Sequence, residues 1–346
     1  MKRLNQTSKI SAPDTIPVRL PLSQRMAPPP AASPLKQLFD ENRLRGKDIL
    51  GIKDLTQEDI DLILNAAQLL KEHKFDDTQT LLNRGQTLVM LFEKPSLRTR
   101  VTFEAGMTQL GGHGIYLEGK LGIRETVSDL AKNVERWVDG VMARTFEHQT
   151  VVALAENANI PVINGLSDLE HPCQALADFL TIIEHRGHLK GLKIAYVGDG
   201  NNVANSLMLL AAKVGAHFVL ASPPDYEPTA EILETAKIEA GLTGSELTIT
   251  HLPEEAAADA DVVYTDVWVS MGQEAETASR IAAFEGFTVT RQLMSCAKAD
   301  SIFMHCLPAH RGQEVAAEVI DGEQSVVFQQ AENRLHAQKA ILSLVL

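Results

Sequence analysis

Thr87-Leu-Val-Met-Leu-Phe92-Glu-Lys-Pro-Ser96-Leu-Arg98-Thr99-Arg100 opens with six apolar or β-branched residues and passes through a proline to a serine. The apolar run is short, as suits a buried strand. Ser96 is a favoured N-cap, and the segment behind it carries Val101, Phe103, Ala105 and Met107, so a helix follows the strand. The order repeats outward. Gly111-Gly112 ends the helix, and Ile115-Tyr-Leu117 is the next strand. Val127 to Trp137 is helical in pattern, Gly140-Val-Met-Ala143 a strand, Val151 to Asn157 a helix and Ile160-Pro-Val-Ile163 a strand. Upstream, Asp54-Leu-Thr-Gln-Glu-Asp59 starts a helix with an acidic first turn, ahead of Ile60, Ile63, Leu64, Ala67 and Leu70 at helical spacing.

The second half has the same grammar. His171 to Glu184 is a long helix, and Leu192-Lys-Ile-Ala-Tyr-Val197 is a strand that ends in Gly198-Asp-Gly200. Ala204 to Val214 is a helix and His217 to Ala221 a strand. Asp261-Val-Val-Tyr-Thr265 and Ser301-Ile-Phe-Met304 are further strands, and Ala331 to Leu346 is a closing helix. Strand–helix alternation of this kind builds parallel sheets covered on both faces. The expected fold class is α/β, with two doubly wound domains, each a parallel sheet flanked by helices. The domains are residues 35–167 and 168–330, with the C-terminal helix 331–346 packing back on the first. Ligands of such sheets sit beyond the C-terminal ends of the strands.

At 346 residues the chain has room for two or three domains of ~150 residues. A net charge of -13 and a pI of about 5.3 argue against a nucleic-acid or anionic-membrane partner. They do not exclude an anionic substrate, because a few arginines act at short range. Cys173, Cys296 and Cys306 make no disulfide framework and have no zinc-site spacing. No apolar run approaches the ~20 residues of a membrane span. Residues 1–34 differ: they are rich in proline, serine and basic residues, and Pro28-Pro29-Pro30 forbids a helix there. Three readings stay open for them: a disordered tail, an upstream start with Met26 as the alternative, and a targeting segment.

Several motifs fall at expected strand ends. Ser96 to Arg100 joins a helix N-terminus, two hydroxyls and an arginine fork, which together make a phosphate cradle. The alternative is a capped helix with two surface arginines. Arg144 ends a buried strand and needs either a ligand or an ion pair, for example with Glu147. His171 and Gln174 lie three apart at a helix start, where Pro172 suits the first turn, so they share a face. Gly198-Asp-Gly200-Asn-Asn202-Val203 begins like a dinucleotide turn. However, Val203 takes the third glycine position and no acid ends the next strand, so the fingerprint fails. Asp266 suits a cationic amine. Ser270, and the backbone at Met271, suit carboxylate and amino groups, although a plain polar loop would read the same way. Cys306 is either reactive or simply buried.

Taken in order, Ser96-Leu-Arg-Thr-Arg100, Asn164-Gly-Leu-Ser-Asp168, His171-Pro-Cys-Gln174, Gly198-Asp-Gly-Asn-Asn202, Asp266-Val-Trp-Val-Ser270-Met-Gly272, His305-Cys-Leu-Pro308 and Ala331-Glu-Asn-Arg334 resemble the aspartate/ornithine carbamoyltransferase family. The resemblance runs from about Leu35 to the C-terminus. The Ser-Met-Gly and His-Cys-Leu-Pro segments are similar to those of its ornithine-using members. It implies transfer of a carbamoyl group from carbamoyl phosphate to L-ornithine, giving L-citrulline and phosphate in arginine biosynthesis. The alternative is another amine, such as N-acetylornithine or putrescine. It implies that Ser96, Leu97, Arg98, Thr99 and Arg334 hold carbamoyl phosphate. Arg144 and His171 would meet the carbonyl oxygen, with Gln174, Cys306 and the Leu307 carbonyl around the carbamoyl group. Leu97 departs from the threonine frequent in ornithine enzymes, so only a backbone contact is expected there. Asn202, Asp266, Ser270 and Met271 would hold ornithine, with Asp266 and Cys306 against its side-chain amine. Arg100 is expected to be a structural ion-pair former. No metal and no organic cofactor is implied. The family pattern implies a homotrimer, with Lys120 reaching a neighbouring subunit's phosphate. A cytoplasmic location is expected, or the mitochondrial matrix if residues 1–34 are a transit peptide.

Overall fold

The computed structural model describes residues 39, 42–74, 77–270 and 272–346. The tail 1–34, the expected start of order at Leu35, and Met271 lie outside the described residues. Among the described residues, β1 (Thr87–Phe92), β2 (His113–Glu118), β3 (Gly140–Arg144) and β4 (Val162–Leu166) form one sheet in the order β2-β1-β3-β4. A second sheet has the order β7-β6-β5-β8-β9, from β5 (Lys193–Val197), β6 (His217–Ala221), β7 (Leu247–Thr250), β8 (Val262–Thr265) and β9 (Ile302–His305). Every pairing in both sheets is parallel. Strand β7 and the helix before it, residues 230–243, are additions to the sequence expectation. Leu-Thr-Ile-Thr is only half-buried at the sheet edge and lacks the continuous apolar run that marks a central strand.

The helices follow their local chemistry. Helix α1 (Gln57–Glu72) starts at Thr56, whose side chain and that of Asp59 cap each other's backbone N–H groups. Helix α2 (Leu97–Gln109) is capped by Ser96, whose Oγ accepts from the Thr99 N–H at 3.3 Å. The helices α3 (Val127–Val134), α4 (His148–Asn157), α5 (Pro172–Arg186) and α6 (Asn202–Val214) follow. Pro172 opens α5 at a position that needs no N–H donor. Helix α6 is capped by Asn201, whose Oδ1 accepts from Val203 and Ala204.

The order of strand addition reverses between β1 and β3 in the first sheet, and between β5 and β8 in the second, with every strand still parallel. In open parallel sheets, such switch points leave a crevice at the strand C-termini. Ser96–Arg100 follows β1 and Arg144 ends β3. The glycine turn 198–202 follows β5 and Asp266 follows β8. Both crevices therefore carry the sequence motifs. The closing helix, Val327–Val345, begins before the expected Ala331 and packs on α1, α2 and α5, that is, back on the first sheet's layer. Its buried Lys339 donates to Gln79 Oε1 at 2.5 Å and Gln109 Oε1 at 3.0 Å. The two sheets are further tied by Glu170, whose Oε2 accepts from the Ile52 N–H at 2.7 Å and the Ser206 hydroxyl at 3.0 Å.

Candidate active site

A cavity of about 300 Å³ lies between the strand ends of the two sheets. Its wall on the first sheet's side holds Ser96, Leu97, Arg98 and Arg144, joined by His171 and Gln174 of the α5 start and Arg334 of the closing helix. Its other wall holds Asn202, Asp266, Ser270, Cys306 and Leu307. The residues come from positions as far apart as 96 and 334, which is why spacing alone could not join them. Thr99 is fully buried at the back: Arg334 Nη2 donates to its Oγ1 at 2.8 Å, and Arg144 Nη1 lies 3.5 Å from it. The Leu97 side chain is 76% exposed, so what this residue turns toward the cavity is the opening turn of α2 rather than a packed side chain. Arg100 instead stacks on the Tyr116 ring at 3.9 Å and pairs with Glu104 at 3.2 Å.

The cavity is arranged for an anion. Burial pushes the Arg144 guanidinium down to about 10, and the charges of Arg334 and Arg98 add to this. Arg334 is lowered by burial, with Arg98 again contributing. Such a cluster repels itself when empty and gains when a multiply charged anion enters. Burial, followed by Arg334 and Arg144, holds His171 well below the ordinary histidine range, so its imidazole is neutral at neutral pH. His171 Nδ1, Gln174 Oε1 and Arg334 Nε are buried without a hydrogen-bond partner. A buried polar atom left unpaired costs free energy, and a ligand with both donors and acceptors removes that cost.

The orientation of Gln174 follows from Asp178, which lies one turn along α5. Gln174 Nε2 donates to Asp178 Oδ1 at 2.7 Å, which leaves Gln174 Oε1 as the free end. The same carboxylate accepts from Gln330 Nε2 at 2.8 Å and Tyr264 Oη at 2.9 Å, and burial pushes it up to about 7. Asp178 sits in the quoted His171 helix, but i,i+4 spacing alone did not mark it.

Asp266 is buried at the end of β8, and Cys306 Sγ donates to its Oδ1 at 2.9 Å. Desolvation and the adjacent Asp266 push the Cys306 thiol well above its ordinary value. It therefore stays a thiol and donates, with Asp266 as the acceptor of the pair. The Leu307-Pro308 peptide is cis, and Leu307 has a φ of 59°. His305 Nε2 lies 3.2 Å from Glu314 Oε1, while its Nδ1 accepts from the Leu307 N–H at 2.9 Å. Asp266, His305 and Cys306 place ligand-type atoms within 4.8 Å of one another. Both ring nitrogens and the thiol are already committed to the hydrogen bonds just described, so we read the trio as a hydrogen-bonded network.

A wider cleft of about 1310 Å³ adjoins this cavity and shares Lys94, Asn202 and Ser270 with it. Lys94 lies over the Phe146 ring at 4.5 Å, and sequence reading assigned it nothing. Gly200 belongs to this cleft's floor: a Cβ there would lie 2.4 Å from the Pro228 backbone nitrogen, which explains the second glycine of the turn. The structure does not bring Lys120 into the arginine cavity of its own chain. It lines a separate groove with Leu117 and Ile123, which are 49% and 69% exposed.

The family profile described as aspartate/ornithine carbamoyltransferase, carbamoyl-P binding domain, matches residues 47–184. The profile for the Asp/Orn binding domain of the same family matches residues 190–345. The chain is 54% identical over 305 residues to the ornithine carbamoyltransferase of Carboxydothermus hydrogenoformans, covering 87% of this chain and 98% of that one. It is 55% identical over 309 residues to the ornithine carbamoyltransferase of Bacillus subtilis, covering 88% and 96%. The solved ornithine carbamoyltransferase of Pyrococcus furiosus superposes with a TM-score of 0.85 at 51% identity, covering 88% of this chain and 98% of that one.

Proposed function

The chain belongs to the aspartate/ornithine carbamoyltransferase family, and from that premise we infer that it transfers the carbamoyl group of carbamoyl phosphate to the δ-amine of L-ornithine, releasing L-citrulline and phosphate. The observation that carries this reading is the single cavity in which Arg98, Arg144, His171, Gln174 and Arg334 face Asp266, Ser270 and Cys306. One wall suits a phosphorylated carbonyl compound and the other an amine.

Carbamoyl phosphate lies with its phosphate on the first turn of α2, held by Ser96, Arg98, Thr99 and the Leu97 N–H, with Arg334 behind. Arg144 and neutral His171 donate to the carbonyl oxygen. Gln174 Oε1 and the Leu307 carbonyl accept from the carbamoyl amide. Ornithine lies opposite, its α-substituents on Asn202 and Ser270 and its δ-amine on Asp266, beside Cys306. The free amine has a pKa of ~10.4, so it arrives protonated and must lose a proton to attack. Asp266 holds the ammonium and takes up the proton. The δ-nitrogen bonds to the carbamoyl carbon, the oxyanion is stabilised by Arg144 and His171, and the carbon–oxygen bond to phosphate then breaks as the departing phosphate takes the nitrogen's second proton. Holding both substrates in one cavity supplies much of the rate.

The experiment is incubation of the purified protein with carbamoyl phosphate and ornithine, with citrulline measured directly. Citrulline should form at a catalytic rate. If N-acetylornithine or putrescine is carbamoylated faster, ornithine is not the substrate.

The finer parts of the reading are the assembly and the compartment. The exposed Leu117 and Ile123 beside Lys120 support a homotrimer in which Lys120 completes a neighbour's phosphate site. Mixing inactive Lys120→Ala and Arg98→Ala chains should then restore part of the activity; a mixture as inactive as its components overturns the shared site. The unpaired Cys173, Cys296 and Cys306 support a reducing compartment, the cytoplasm.

A further inference from the structure

We propose that Asn201 is a positioning residue for the amine-binding carboxylate Asp266, coupling the N-terminus of α6 to the second substrate's reactive end. The inference rests on the reading of Asp266 just given and goes beyond it by adding a residue that need not touch substrate.

Asn201 makes two kinds of contact. Its Oδ1 accepts from the Val203 and Ala204 N–H groups at 2.9 and 3.1 Å, and from Tyr196 Oη at 3.3 Å. Its Nδ2 donates to Asp266 Oδ2 at 2.9 Å. The orientation of the amide is not arbitrary. Helix N–H groups only donate, so the carbonyl end must face α6 and the NH₂ end must face Asp266. Cys306 occupies the other oxygen, Oδ1. The carboxylate is thereby pinned at both oxygens, by the cap of one crossover helix and by the loop after β9. Its remaining lone pairs are left for an incoming ammonium.

The groups facing Asp266 are His305 at the end of β9 and Cys306 after it, Tyr264 on β8, Tyr196 on β5 and Asp199 in the glycine turn. Asp199 is pushed up to about 6 by burial and is paired with Arg280 at 3.0 Å. Asn201 is the neutral member that supplies a fixed N–H to the carboxylate.

The test uses two substitutions that both keep a helix-capping oxygen. Asn201→Ser removes the reach to Asp266. The ornithine KM should rise by about 10-fold and kcat should fall, with the carbamoyl phosphate KM unchanged. Asn201→Asp keeps the cap but sets a second carboxylate against Asp266. The acid limb of kcat/KM for ornithine should move up by about one pH unit, a shift that loss of packing does not produce. Folded variants with wild-type ornithine kinetics and pH profile overturn the proposal, as does a loss that falls on carbamoyl phosphate. If neither variant folds, the residue is purely structural and the proposal fails. The wild-type protein is assayed alongside: absence of citrulline there fails the functional reading itself, whereas an active wild type with indifferent variants fails only this inference.

Discussion

Arg144→Ala should lower kcat by about 10²–10³-fold, the usual cost of removing one donor to a developing oxyanion. It should do so without lowering the thermal stability of the ligand-free protein. The second half of the expectation follows from the electrostatics. Arg144 is buried, and its charge is disfavoured by burial and by the neighbouring charges of Arg334 and Arg98. Removing it relieves the repulsion among the three guanidinium groups when no anion is bound, and function is the side that suffers. Steady-state kinetics and a melting curve on the same preparation check both halves. An Arg144→Ala chain that melts early and keeps its kcat would mean the arginine is there for structure. Arg144→Lys restores a charge without the planar fork and should recover only part of the loss.

Asp266→Asn should cost about 10²–10⁴-fold in kcat/KM for ornithine, the range for losing a general base that also anchors the attacking group. Binding of carbamoyl phosphate should be unaffected, because the residues proposed to hold the phosphate come from the start of α2 and the closing helix. The substitution is nearly isosteric, and the amide has one oxygen with which to keep a partner. A change in fold is therefore not expected. Isothermal titration with carbamoyl phosphate, set beside ornithine kinetics, separates the two walls of the cavity. Equal losses on both substrates would show that Asp266 organises the whole cavity rather than its amine side.

The fold was legible because strands in doubly covered sheets are short apolar runs and the helix starts carry their caps in sequence. Ser96, Pro172 and the Gly198–Gly200 turn each marked a boundary that the structure keeps to within a residue or two. Strand β7 was not legible: an edge strand with one wet face has no such run. The arginines and His171 were legible as types at strand ends, and the family resemblance supplied their roles. What sequence could not mark were residues that act through others. Asp178 orients Gln174, and Asn201 contacts Asp266 across 65 positions. Glu314 holds His305 in a wholly buried pair. A buried carboxylate that accepts from amides looks, in sequence, like any helical acid, because partners such as Gln330 and Tyr264 reach Asp178 from the closing helix and β8, which only the tertiary fold brings close.

The closing helix has a consequence for how the chain is made. Residues 327–345 are synthesised well after α1, α2 and α5, the elements they pack against. The strands of the second sheet emerge before the piece that covers the first layer's apolar face. On a ribosome adding about 5–20 residues per second, the N-terminal half waits with that face unfilled while the later half can already close. Arg334 lies on that same helix, so the anion cavity is complete only once that helix has been made. A nascent chain that has not yet made this helix lacks Arg334 and so one side of that cavity.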